Sequence, residues 1–350
     1  MLALAGTGLA CAPTAMRTPV RTEPEMTPAQ RAYRQLGYGM FLHFGPTTLE
    51  GLSLGSGRFP AAQVDFPRLD CRQWARVAVA AGMKYAVLTA KHVDGFCLWP
   101  TAHSQYCTKN TPSGRDIVRE FVEAFREVGL QVGLYYALWD KNAPMYNDDA
   151  SYAAYVRAQI EELLTGYGPM VELWFDGAWD KDFPSRDWLY EPEWENDPNS
   201  GLTHGEKWQF AELYQHVHRL SPNCLVVNNS ASDRGGLVRY LPADIRTAER
   251  IHFAWGGKMF QTTLAPDIRD ATGKKLNLPL ELCDTITPGW FWNRRVGFSH
   301  MPPEGIAAWM KTAAASDANL LLNIGPDDSG RIPDYHEPFL VEAKRLRDLG

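Results

Sequence analysis

Along this 350-residue chain, helices repeatedly lead into short, almost wholly apolar strands, and that alternation limits the fold more than any other feature. Asp70 is placed to cap a helix whose apolar residues Trp74, Val77, Ala78 and Ala81 share one face. Gly82 stops it, and the run Tyr85 to Ala90 follows as a strand. The plan repeats with Ile117, Val118, Phe121, Val122 and Phe125 on a helix face, Gly129 as the stop, and Val132 to Tyr136 as the strand. Further units run from Tyr152–Leu164 into Val171–Phe175, from Trp208–Leu220 into Leu225–Asn228, and from Ile306–Ala315 into Leu320–Ile324. Met40 to His43 supplies an earlier strand.

Strands without polar alternation are buried on both faces, and a helical crossover returns the chain in the same direction, so the sheet is parallel. No Gly-rich phosphate turn follows the first strand, which argues against an open nucleotide-binding sheet. Polar residues gather instead at strand C-termini: His43, His92, Trp139, Asp176, Asn229 and Asn323. A barrel brings such ends to one rim. The pattern predicts an α/β fold, a (β/α)8-like, TIM-type barrel over residues 26–350, its last two strands lying between about 240 and 290. The loop from Ala178 to Lys207 is long, acidic and aromatic, and is expected to overhang the pocket.

Lys and Arg number 35 against 41 Asp and Glu, a formal charge of −6, and no basic run exceeds a pair. Neither nucleic acid nor an anionic membrane is an expected partner. Twelve Trp and fourteen Tyr offer flat faces on which sugar rings stack, although a large core consumes aromatics too. The six Cys lack CxxC or Cys/His ligand spacing, so buried thiols are expected rather than structural zinc. Residues 1–25 open with small apolar residues that resemble the rear of a secretory signal, without its basic front. The expectation is export, to the periplasm or beyond, with Cys11 as a point of lipid attachment. No other run is long and apolar enough to predict a membrane-spanning helix.

Asp176 ends an apolar strand and precedes Gly177, which suits a carboxylate that must approach a substrate closely. A helix N-cap is the competing reading. Cleavage of a glycosidic bond with retention needs two carboxyl groups about 5–5.5 Å apart, one as nucleophile and one as acid/base. Glu249 leads for the second role, followed by Glu281 and then by Glu191 and Glu195 on the long loop. His43 and His92 end different strands and would reach the same rim as donors to hydroxyl groups. Their spacing has no HxH or HExxH character, and no metal is expected.

These segments resemble the α-L-fucosidases of glycoside hydrolase family 29. The resemblance runs from about residue 28 to 335 and is carried by Tyr38-Gly39-Met40-Phe41-Leu42-His43-Phe44-Gly45, by Ala81 through His92 to Trp99-Pro100, by Trp174-Phe175-Asp176-Gly177, and by Asn319 through Pro326. It implies Asp176 as nucleophile and Glu249 as acid/base, and Phe41, His43, His92, Trp99, Tyr136, Trp139, Arg246, Trp290 and Trp292 as the substrate-binding set. It implies a retaining exo-glycosidase acting on terminal α-L-fucosyl residues, with a carbohydrate substrate and no cofactor. Three departures stand out. Val93 occupies the place of a second sugar-binding His, for which His103 and His252 are candidates elsewhere in the chain. The family's Glu-Trp pair is missing around Leu52–Pro60, and the β-sandwich of many relatives is expected to be absent. Loss of hydroxyl partners motivates two alternatives: the same mechanism on a galactose-configured or other 6-deoxyhexose glycoside, or a catalytically decayed carbohydrate-binding protein.

Overall fold

Asp70, Asp116 and Asp148 each begin a helix by accepting the backbone N–H three residues on, from Gln73, Arg119 and Ser151 at 2.9–3.0 Å. Gly82 and Gly129, both at φ +79°, turn the chain out of the first two of these helices and into strands, a conformation other residues resist. This local grammar repeats around the molecule. A computed structural model describes residues 25–177, 207–229, 234–236, 238, 240–249, 263–264, 268–269, 272–295 and 297–349. The expected signal-like segment with Cys11, the loop residues 178–206 with Glu191 and Glu195, and His252 lie outside the described residues.

In chain order the elements are α1 (Pro28–Arg34), β1 (Tyr38–Leu42), α2 (Pro46–Glu50), α3 (Cys71–Ala80), β2 (Tyr85–Lys91), α4 (Ile117–Glu127) and β3 (Gln131–Ala137). Then come α5 (Asp149–Gly166), β4 (Glu172–Asp176), α6 (Phe210–Leu220), β5 (Leu225–Asn228), β6 (Arg246–Glu249), β7 (Leu280–Thr285), α7 (Pro303–Ala315), β8 (Ala318–Asn323) and α8 (His336–Asp348). These eight strands pair in parallel, in the order β5-β4-β3-β2-β1-β8-β7-β6, and four two-residue strands pair apart from them. The fold is thus a parallel barrel of the TIM type, with β6 and β7 in the expected interval. Among the described residues no helix is long and apolar enough to cross a membrane.

Strand parity divides the core into two layers. Met40, Leu42, Leu88, Leu134, Leu173, Val226, Leu282, Leu320 and Leu322 point outward and pack beneath the helices. Phe41, Val87, Tyr135, Trp174, Val227, Cys283 and Leu321 point inward and fill the barrel. Both faces of every strand are therefore covered, which is why the strands read as continuous apolar runs.

The ring closes between β5 and β6 through one isolated bridge, Val227 to Ile245, supported by the Asp244 N–H donating to the Val226 carbonyl at 2.9 Å. So short a ladder needs reinforcement, and Asp244 provides it. Its carboxylate accepts the Val226 N–H at 2.8 Å, the Tyr214 hydroxyl at 2.8 Å and His218 Nε2 at 2.9 Å. Two helix side chains and a strand amide thus converge on one residue at the seam.

Asp244→Ala is expected to cost about 2–4 kcal/mol in chemical denaturation, because it strips several charge-assisted bonds from a mostly buried position. The bond to Asp244 raises the His218 pKa above its ordinary value, burial opposing it. That stability is fully present below about pH 6.5, the ordinary imidazole value, and is lost as pH rises through the raised value. His218→Gln should therefore lower Tm at about pH 5 and progressively less toward about pH 9.

Candidate active site

Parity also decides which strand-end residues meet. Asp176 lies two residues beyond inward-facing Trp174, so its carboxylate enters the barrel mouth. Oδ2 accepts the Tyr135 hydroxyl at 2.8 Å and Oδ1 accepts Asn229 Nδ2 at 3.2 Å. The Gly177 N–H is a further donor. Gly177 sits at φ +66°, and a Cβ there would come within 3.0 Å of Trp139 Cβ, so glycine permits the tight exit that seats Asp176 beside Trp139. Burial raises the Asp176 pKa above the usual carboxylate value, while Tyr135, the Gly177 N–H and Asn229 hold it back.

Glu249 ends β6 on the inward phase shared with Thr247, whose hydroxyl lies 3.7 Å from Cys283 Sγ inside the barrel. Its Oε2 accepts Asn229 Nδ2 at 3.0 Å. One amide nitrogen thus serves both acids. Asp176 Oδ1 and Glu249 Oε2 can lie no farther apart than 3.2 and 3.0 Å laid end to end, about 6 Å.

An aromatic floor underlies this pair. The Phe41 ring meets His43, Trp174 and Trp290 edge-on, with centroids 4.5, 5.4 and 6.2 Å away. His43 Nδ1 lies 2.8 Å from Asn323 Oδ1, an acceptor, which assigns a proton to Nδ1. Asn323 in turn donates to Thr285 Oγ1 at 3.0 Å and to the Trp290 carbonyl at 2.7 Å, and Trp290 stacks on His43 at 5.0 Å. A register shift between Thr89 and Lys91 changes the phase of β2. Lys91 is consequently directed outward to Asp140 at 2.6 Å, and His92 inward, parallel to Tyr135 at 5.5 Å. Burial above all, then His43 and Lys141, lowers the His92 pKa well below its usual value. Its ring is neutral, and its buried Nδ1 has no hydrogen-bond partner among the described residues. Phe41, His43, His92, Trp139 and Trp290 therefore gather around Asp176 and Glu249.

Four other residues of the expected binding set do not. Tyr136 points outward, its hydroxyl donating to Gln159 on α5 at 2.7 Å; the inward tyrosine is Tyr135. Trp99 is buried among the helices and donates to Glu162 of α5 at 2.8 Å. Trp292 turns away to the Tyr335 hydroxyl at 3.1 Å, while its neighbour Phe291 packs on His43 and His92 at 5.4 and 4.8 Å. Arg246 starts β6 on the outward phase, three residues or about 10 Å of strand below Glu249. His103 approaches Glu162 at 3.6 Å on the outer side and does not supply a second histidine to the rim.

Glu281 is fully buried beneath the floor, where Trp174 Nε1 donates to it at 2.8 Å and the Tyr85 hydroxyl at 2.9 Å. Trp174 separates it from Asp176, so it cannot share the mouth. Glu172 faces the same interior, and burial raises the pKa of both carboxyls, their proximity adding to it for Glu172. Period-two alternation was the sequence signal that could have found Tyr135, since Ala137 pairs with Asp176 in register. Among the described residues no group of three or more His, Cys, Asp or Glu is arranged to hold a metal ion.

The family model described as Alpha-L-fucosidase matches residues 58–346. Alpha-L-fucosidase 1 of Arabidopsis thaliana is 29% identical over 332 residues, covering 91% of this chain and 60% of that protein. Among solved structures, a glycoside hydrolase 29 family member from an unknown rumen bacterium superposes with a TM-score of 0.74 and 30% identity over 93% of this chain and 57% of its own. Alpha-L-fucosidase isoenzyme 1 from Paenibacillus thiaminolyticus gives a TM-score of 0.69 and 29% identity over 92% and 75%. The chain spans about six-tenths of the length of the curated plant relatives it matches.

Tyr135→Phe removes a donor to the ionised form of Asp176 and should raise the pH at which that carboxyl titrates, as followed by carbon-13 NMR. Tyr136→Phe, one residue away and facing α5, should leave the titration where it is. Equal effects of the two substitutions would contradict the inward and outward assignment.

Proposed function

The chain belongs to the α-L-fucosidase family, glycoside hydrolase family 29, and we propose that it is a retaining exo-glycosidase releasing terminal α-L-fucosyl residues from glycans. Asp176 attacks the anomeric carbon while Glu249 protonates the departing glycosidic oxygen. The resulting glycosyl ester on Asp176 is hydrolysed by water, whose proton Glu249 takes, and the two inversions restore the original configuration.

The observation that carries this reading is the donor shared by the two acids. The two oxygens that it joins stand no more than about 6 Å apart, which suits the close carboxyl pair of a retaining enzyme better than the about 6.5–9.5 Å of an inverting one. The surroundings support it too. Asp176 must be ionised to attack, and three donors favour its charge against the effect of burial. The imidazoles of His43 and His92 are suited to directional bonds with hydroxyl groups, and Phe41 and Trp290 to the apolar parts of a deoxy sugar.

Val93 favours a second reading, in which the mechanism is kept and the sugar changes to a galactose-configured or other 6-deoxyhexose glycoside. It is buried in the inward layer, and its methyl lies 3.6 Å from where a Cβ on Gly177 would stand. An apolar side chain there offers a hydroxyl no partner.

Assay of aryl α-L-fucosides beside aryl α- and β-galactosides separates the two. Fucoside turnover that Asp176→Ala lowers by about 10³-fold or more is the expected result. Turnover confined to another glycoside would move the assignment to the second reading, and full activity in Asp176→Ala would overturn both. Azide should rescue Asp176→Gly, giving a glycosyl azide of inverted configuration. Loss in Glu249→Ala should be larger on substrates with poor leaving groups than on activated ones; equal losses would remove Glu249 from the acid role.

A further inference from the structure

Asn229 stands where the barrel seam meets the mouth. It follows inward-facing Val227 by two residues, is 3% exposed, and donates its backbone N–H at 3.0 Å to the carbonyl of Phe175, the residue before Asp176. Its main chain is thus fastened to the strand that carries Asp176, while its side chain reaches the end of the strand that carries Glu249. The single nitrogen Nδ2 lies 3.2 Å from Asp176 Oδ1 and 3.0 Å from Glu249 Oε2, and an amide has one hydrogen for each.

We propose that Asn229 is a positioning residue that tethers the two acids through one amide, fixing their separation and allowing one to stay charged beside the other. The proposal rests on the roles given above to Asp176 and Glu249. Two carboxylates this close in a partly buried mouth repel one another, and a neutral donor between them relieves that repulsion without adding charge. A lysine or arginine at the same point would hold both acids ionised and oppose the protonated state that a leaving group needs. An amide makes no such demand: it donates to a carboxyl whether or not that carboxyl's other oxygen carries a proton. When Asp176 becomes esterified, the bond from Asn229 keeps Glu249 aimed at the incoming water. The neighbouring Asn228 cannot take over, because its side chain faces the other way, toward the Tyr240 carbonyl at 3.5 Å.

The test uses Asn229→Ala and the nearly isosteric Asn229→Asp, which leaves no cavity and, when ionised, has no proton to donate. With an aryl α-L-fucoside, kcat/KM is expected to fall roughly 10²-fold, the loss typical of one preorganised donor. The acid limb of its pH profile should move to higher pH in both variants. Carbon-13 titration of the Asp176 carboxyl, assigned by its disappearance in Asp176→Ala, should move the same way. A fall in rate with neither the limb nor the titration displaced would overturn the tether and leave Asn229 a packing residue; an unaltered profile would overturn it as well. If Asp176→Ala retains turnover, the nucleophile assignment fails, yet the titration of Asp176 in the Asn229 variants still decides the tether.

Discussion

Closure of the barrel between β5 and β6 is the constraint on which the site depends. Seven of the eight neighbouring pairs are held by ladders, whereas this one has a single bridge and the bonds gathered by Asp244. Opening that seam would carry Glu249, at the end of β6, away from Asn229 and Asp176, which stand at the ends of the laddered strands β5 and β4. Stability and site geometry therefore meet in one small region. The carboxylate that staples the seam is held from the helix layer by Tyr214 and His218, so the outer shell helps to keep the ring closed.

Depth along the barrel separates two pairs of acids with different surroundings. Below the floor, Glu172 and Glu281 lie in the filled interior, where burial favours their neutral forms. At the mouth, Asp176 is also raised by burial, but Tyr135, Asn229 and the Gly177 N–H favour its charged form. Trp174 divides the levels: its indole N–H donates downward to Glu281, and its ring stacks on Tyr135, whose hydroxyl donates to Asp176. The proposed double displacement needs an ionised nucleophile within reach of a proton carrier, and only the upper pair combines donors with access.

Much of this arrangement was legible in one dimension. The helix cap at Asp70, the stops at Gly82 and Gly129, and uninterrupted apolar strands give a parallel sheet covered on both faces, and the lack of a Gly-rich turn after the first strand turns that reading from an open sheet to a barrel. The polar strand ends named the rim. What the sequence reading missed was direction. The resemblance implies Tyr136 and not the adjacent Tyr135, and only the inward phase, set by the pairing of Tyr135 with Trp174, tells the two apart. Trp292 and Phe291 exchange roles for a different reason: they stand in an irregular segment after β7, where no period applies. The resemblance implies Arg246 as well, although three residues of extended strand separate it, at the foot of β6, from Glu249 at the rim. His92 reaches the interior only through the register shift in β2, which no pattern of apolar residues announces.

The most direct measurement is to trap the proposed intermediate with a fluorinated fucosyl fluoride, slow in its second displacement, and to locate the label by mass spectrometry of peptides. The expected result is one fluorofucosyl label per chain on the peptide containing Trp174-Phe175-Asp176-Gly177, absent in Asp176→Ala. Turnover of the parent fucoside without any adduct, or an adduct on a different carboxylate, would contradict it.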